Sequence, residues 1–195
     1  MIQHIDLSSV LRRSVCDLYS NLVTRPTGAA VRTEIEQLVV GTPSPSLTVI
    51  DFSNVGLLDY SCADEVVAKL LLRFAPGVAP CDAYFLFRGM QEWHLDAIEA
   101  ALDRYDLALV LEAGDGTAVL VGAIADEEHR IWEAVYQSGA ADAATVAASI
   151  GADAPTAEQV LQSLSARRLV MHLDQQYLPL ASQPAPSRAV STGGT

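Results

Sequence analysis

Leu47-Thr48-Val49-Ile50-Asp51-Phe52, then Ser53-Asn54-Val55-Gly56-Leu57-Leu58-Asp59, then Tyr60-Ser61-Cys62-Ala63-Asp64-Glu65 decide the fold of this 195-residue chain. The first six residues are β-rich and apolar toward both faces, the pattern of a central strand covered on each side. The last six open a helix whose buried stripe is Val66, Val67, Leu70, Leu71 and Phe74, and Pro76-Gly77 stops it.

The same grammar repeats outward. Upstream, Thr24 stands at a helix cap and Pro26 in the first turn, followed by Val31, Ile35, Leu38 and Val39 at helical spacing. Gly41 and the loop 42–46 end that helix. The residues before it read as a strand and a short helix, apolar at Val10, Leu11, Val15, Leu18 and Leu22, without a sharp boundary. Downstream come a strand over 83–87, a helix over 92–102 with Leu95, Ile98 and Leu102 inward, and strands over 107–111 and 117–121. Gly114-Asp115-Gly116 is the turn between the last two. Strand and helix alternate, so residues 1–122 are predicted to form an α/β domain with a mostly parallel sheet.

From Asp126 the pattern changes. Ile131, Trp132, Val135 and Tyr136 line one helix, 143–150 forms a second, and Pro155 opens a third with Val160, Leu161 and Leu164 inward. The runs 169–173 and 177–180 read as a two-stranded ribbon. Three short helices and a ribbon over 126–181 make a small winged-helix-like α+β domain. The composition of 182–195, rich in Ser, Pro, Gly and Ala, is that of a disordered tail.

Composition limits the partners. The net charge is −12, which disfavours nucleic acid and anionic membranes, because both are bound through clustered Lys and Arg. No apolar run is long enough to span a bilayer, and the N-terminus lacks the pattern of a secretory signal. Cys16, Cys62 and Cys81 are odd in number and far apart, which suits a reducing compartment. The chain reads as cytoplasmic. His4, His94, His129 and His172 have no metal-ligand spacing, and no glycine-rich phosphate loop is present, so neither metal nor cofactor is expected.

The stretch from Val49 to Glu65 resembles the signature of STAS domains, the fold of bacterial anti-sigma factor antagonists. Its ending, Cys62-Ala63-Asp64-Glu65, with Thr24-Arg25 before a helix, is similar to a divergent STAS-like family found fused to other regulatory modules. The resemblance covers residues 18–122. It implies a non-enzymatic regulator that works by protein–protein interaction, with Asp59, Tyr60, Ser61, Asp64 and Glu65 as its switch or partner-binding residues. The partner implied is an anti-sigma-type kinase with a histidine-kinase-like ATPase fold. The winged helix would add a second contact or pair two copies of the chain. Phosphorylation is the family's switch, but with Asp59 matched to the family's Asp, Tyr60 falls at the hydroxyl position and Ser61 one place later.

The same residues have plainer readings. Ser61 and Asp64 have the spacing of a capping box, and Asp51 and Asp59 suit strand-end turns. Cys62 lies among carboxylates that raise a thiol pKa, and a buried inert thiol is the simpler role; no histidine lies near it in sequence, though His94 could approach it in space. Trp93 and Trp132 accompany helical apolar stripes and read as core anchors. The alternative to a protein-binding role is a DNA-binding transcription regulator using Arg130, Arg167 and Arg168, with the first domain as sensor. Those three arginines face eight carboxylates between 126 and 181. Binding to random duplex at about 150 mM salt should therefore be weaker than the ~10⁻⁴–10⁻⁶ M of ordinary non-specific DNA binders. A fluorescence anisotropy titration checks this, and tight binding lost in Arg167→Ala/Arg168→Ala would favour the alternative.

Overall fold

The computed structural model describes residues 1–15, 20–78 and 81–181. Cys16, Leu18 and the tail 182–195, for which disorder was expected, lie outside the described residues. The first part runs β1 (Ile2–Asp6), α1 (Leu7–Ser14), α2 (Arg25–Val40), β2 (Ser46–Asp51) and α3 (Tyr60–Ala63). α3 passes through a π-helical turn (Asp64–Ala68) into α4 (Lys69–Arg73), then β3 (Ala83–Arg88), α5 (Glu92–Asp103), β4 (Ala108–Glu112) and β5 (Ala118–Gly122). The second part is α6 (Asp126–Ser138), α7 (Ala143–Ile150), α8 (Ala154–Ala166), β6 (Val170–Leu173) and β7 (Gln176–Pro179).

The main sheet has the strand order β1-β2-β3-β4-β5. β1 to β4 are parallel, and β5 returns antiparallel to β4. The α/β class with a mostly parallel sheet is therefore as expected. Strand order equals chain order, so successive right-handed crossovers all turn the same way and stack their helices on one face. On that face Ile50, Phe85, Phe87 and Leu109 pack with Val31, Ile35, Val66, Val67, Leu70 and Ile98.

The opposite face is apolar as well. Leu47, Val49, Tyr84, Leu86 and Val110 point there, and they share a core with Trp132, Val135, Leu161, Leu164 and Leu169. Residues 126–181 thus cover the sheet. Polar contacts fix the seam: the Ala118 N–H donates to the Tyr136 hydroxyl at 3.1 Å, and the Trp132 indole N–H donates to the Leu169 carbonyl at 3.2 Å. Trp132, expected in the core, is stacked on Tyr136 at 5.4 Å between centroids.

Two arginines named for the DNA-binding alternative belong to this seam. Arg167 pairs with Glu128 at 2.8 Å and donates to the Ala123 carbonyl. Arg168 pairs with Asp82 at 2.5 Å and lies over the Tyr84 ring, 4.8 Å from its centroid. Arg130 is exposed on α6, apart from these engagements.

The shared core bears on any division of the chain near residue 122. Ending it after Gly122 would bare the five strand residues above, each worth about 1.5–3 kcal/mol when buried. The shortened chain should bind a hydrophobic dye and lose its cooperative melt. In the full chain, Trp132→Ala should cost about 3–5 kcal/mol by chemical denaturation.

Candidate functional site

The site begins at Asp59, the N-cap of α3. One carboxylate oxygen accepts from the Cys62 N–H at 2.7 Å and from the Ser61 hydroxyl at 2.8 Å. The other accepts from the Thr24 N–H at 2.9 Å. Burial pushes this carboxyl upward, but the donors of Thr24, Cys62 and Ser61 outweigh it and hold it below its ordinary value. The capping-box reading is corrected here: Ser61 lies inside the first turn, and Asp64 points elsewhere. Asp59 takes the cap because its two oxygens satisfy the helix amide and a second segment at once.

That second segment is held closely. Leu22 and Leu58 form a parallel bridge, with Leu22 N–H donating to Leu57 at 2.8 Å and Asp59 N–H to Leu22 at 3.0 Å. Thr24 has φ +79°, a strained conformation for a β-branched residue, and the Asp59 carboxylate sustains it. The Cys62 thiol donates to the Thr24 carbonyl at 2.9 Å. Burial, then the Asp59 charge, push that thiol up to about 12, so it stays protonated at neutral pH.

One turn on, Asp64 and Glu65 are 1% and 4% exposed. They sit in the π turn, a helix irregularity found often at functional sites. Arg25 binds both, at 2.8 Å to Glu65, and so does Lys69, at 3.2 Å to Asp64. Arg32 reaches Glu65 at 3.2 Å and also pairs with Glu36. The Tyr105 hydroxyl donates to Asp64 at 2.9 Å. Burial raises both carboxyls, but Arg25, Tyr105 and Lys69 at Asp64, and Lys69, Arg25 and Arg32 at Glu65, bring them below their ordinary values. The cluster ties α2, the π turn and the end of α5 together. Gly28 allows the approach, since a Cβ there would stand 3.0 Å from both Cys62 Cα and Glu65 Cβ.

The five switch residues therefore separate. Asp59 alone is the cap, Ser61 donates to it from within the first turn, Asp64 and Glu65 face inward, and Tyr60 faces solvent. The Arg104 guanidinium donates to the Tyr60 hydroxyl at 3.4 Å and lies 5.3 Å from the Tyr105 ring centroid. Beside it, the loop before α3 is fixed by α5. The Gly56 carbonyl accepts from the Trp93 indole at 3.0 Å and is 3.0 Å from His94 Nε2. The Gln91 N–H donates to His94 Nδ1 at 3.2 Å, which assigns the proton to Nε2. Both nitrogens of the buried His94 are thus engaged with backbone rather than directed at Cys62. Trp93 is not the core anchor expected: it is 62% exposed, while Leu57 and Tyr60 are 57% and 38% exposed. Among the described residues, no group of His, Cys, Asp and Glu is placed to hold a metal, and no helix is long and apolar enough to cross a membrane.

Sequence reasoning missed Arg32, Lys69 and Tyr105 and used Arg25 only as a helix flank. One signal was present. Two adjacent carboxylates in an apolar helical stripe require cations, and the chain's only lysine stands four residues after Glu65.

The cluster gives stability a defined pH dependence. A carboxyl whose folded pKa is lowered stabilises the fold above its unfolded pKa, and the contribution is lost as pH falls through the folded value. Glu65→Gln, which removes that charge, should cost about 1.5–3 kcal/mol at neutral pH. In urea titrations the gap between wild type and Glu65→Gln should close as pH falls below about 4. A gap independent of pH would show that the Glu65 charge contributes nothing.

No protein-family model, no curated protein and no solved structure matches the chain.

Proposed function

We propose that this protein is a non-enzymatic regulator that binds another protein through the loop and first turn at Leu57–Ser61. The observation that carries this reading is the exposure of Leu57, Tyr60 and Trp93 on a rigid support. Exposed apolar and aromatic groups on fixed backbone are the composition of interface hot spots. Asp59, His94 and the Trp93 indole supply the rigidity through the bonds described above, and the buried ion-pair cluster supports the helix from beneath. Arg104 adds a cation beside Tyr60.

The groups that would have to react are committed elsewhere. The Cys62 thiol is protonated and bonded to backbone, and the nitrogens of His94 face Gly56 and Gln91. The STAS-like reading of residues 1–122 keeps an anti-sigma-type kinase with a histidine-kinase-like ATPase fold as the partner to test first. A phosphoryl group on Ser61 would set up to about two negative charges against the Asp59 carboxylate and loosen the cap, which gives the surface a physical off-state. The order α6-α7-α8-β6-β7, with Ala141 bridged to Tyr177, supports the winged-helix reading of 126–181. Its arginines at 167 and 168 brace the sheet, which favours a protein-binding over a DNA-binding role.

The test compares baits of equal stability. Leu57→Asp and Tyr60→Ala lie at the surface and should change stability by no more than about 0.5 kcal/mol. Each should weaken the complex with the captured partner about tenfold or more, while Arg130→Glu on α6 leaves it intact. Equal affinity for all baits would overturn the reading.

A further inference from the structure

The strand β5, Ala118-Val119-Leu120-Val121-Gly122, forms one edge of the main sheet. Its ladder with β4 fixes which of its backbone groups are left over. The Ala113 N–H donates to the Thr117 carbonyl at 2.7 Å and the Ala123 N–H to the Leu107 carbonyl at 2.9 Å. In this antiparallel register the odd-numbered residues of β5 therefore bond to β4, and the even-numbered ones turn their N–H and carbonyl groups outward. Ala118 shows the same phase, since its N–H goes to the Tyr136 hydroxyl and not to β4. The Leu120 N–H and carbonyl, the Gly122 N–H and the Ala118 carbonyl meet no hydrogen-bonding partner among the described residues.

Soluble proteins ordinarily guard such an edge with a lysine, a proline or a bulge. Here no charged residue and no proline occurs from Gly116 to Ala125, and β5 pairs one to one with β4 without a bulge. Val119 stands 41% exposed on it. The strand also reads nearly the same in both directions about Leu120. Laid antiparallel on a copy of itself, it sets Leu120 opposite Leu120, Val119 opposite Val121 and Ala118 opposite Gly122. The two Leu120 residues then exchange both their N–H···O bonds, and each Gly122 N–H reaches an Ala118 carbonyl. The ladder stops there, because Tyr136 holds the Ala118 N–H and Gly122, at φ +105°, lets the chain leave the sheet.

We infer that the chain pairs with a second copy of itself through β5, joining two five-stranded sheets into one about a two-fold axis at Leu120. Side chains on both faces take part. Leu120 packs against the core shared with residues 126–181 and Val121 against the helical core, so both cores continue across the axis, and the exposed Val119 is covered by Val121 of the second copy. A strand of another protein could use the same free groups, but β5 bears no charge that would select one. Its own near-palindrome supplies a matching residue at every place, which is what a two-fold contact requires. The inference rests neither on the surface at Leu57–Ser61 nor on the winged-helix reading of 126–181.

Sedimentation velocity on the full chain tests the pairing. A contact this short belongs with weak interfaces, so the mass should rise from monomer toward dimer between about 10 and 500 μM. Val119→Lys places an edge-guarding residue at an exposed position and should raise the dissociation constant about tenfold or more without changing the melt. Leu120→Pro removes an N–H that faces away from β4, a change edge strands tolerate, and should abolish the dimer. Cysteines locate the axis. Under a mild oxidant, Val119→Cys mixed with Val121→Cys should give more disulfide-linked dimer than either variant alone, with the wild-type chain as the control for native thiols. This readout stands even if Val119→Lys and Leu120→Pro fail to fold. A chain still monomeric at about 500 μM, a dimer undiminished in folded Val119→Lys, or crosslinking no greater in the mixture than in the single variants would each overturn the inference.

Discussion

The strand order of the main sheet is the constraint on which the rest depends. With β1 to β5 in sequence, every crossover helix comes to the same side, and the chain has no crossover left to cover the other side. Yet the strands carry apolar residues toward both faces, Ile50 and Phe85 one way and Val49 and Leu86 the other. A half-covered sheet of this composition would expose a patch far larger than single surface apolar residues present. Residues 126–181 meet that requirement by laying Trp132, Leu161 and Leu164 on the bare face. The second part therefore acts as a structural layer before any other role is assigned to it.

Within the helical layer, charge does the work that apolar packing does elsewhere. Desolvating Asp64 and Glu65 is costly, and removing one partner of a buried ion pair is more damaging than exchanging the whole set for apolar groups. Three cations and a phenol surround the two carboxylates, each reaching from a defined place on α2, α4 or the end of α5. Apolar side chains could slide past one another; these groups accept only one register of the helices. The surface at Leu57 and Tyr60 inherits that fixed register.

Much of the fold was legible because period and punctuation agreed. The helix over 25–40, the helix starting at Tyr60 and the turn at Gly114-Asp115-Gly116 follow from spacing, proline and glycine alone. What spacing does not carry is which side of a sheet a later segment covers, so the seam was not visible in the sequence. The site was legible in part. Asp59 and Tyr60 stand where the quoted motif implied, but Ser61 lost the cap to Asp59, whose second oxygen answers Thr24, a residue distant in sequence. Trp93 resembled a core residue because it adjoins an apolar stripe. It lies one position off that stripe, and the buried place went to His94, whose two nitrogens found backbone partners.

The two tryptophans make the molecule its own reporter. Trp132, 1% exposed and stacked on Tyr136 in the seam, emits from an apolar setting, whereas Trp93, 62% exposed on the loop support, emits from water. A soluble quencher reaches the second and not the first, so blue and red components of one emission band separate events at the seam from events at the loop. Loosening of residues 126–181 from the sheet shifts the blue component to the red. A protein seated against Leu57 and Trp93 shields the red component from the quencher and leaves the blue one unchanged.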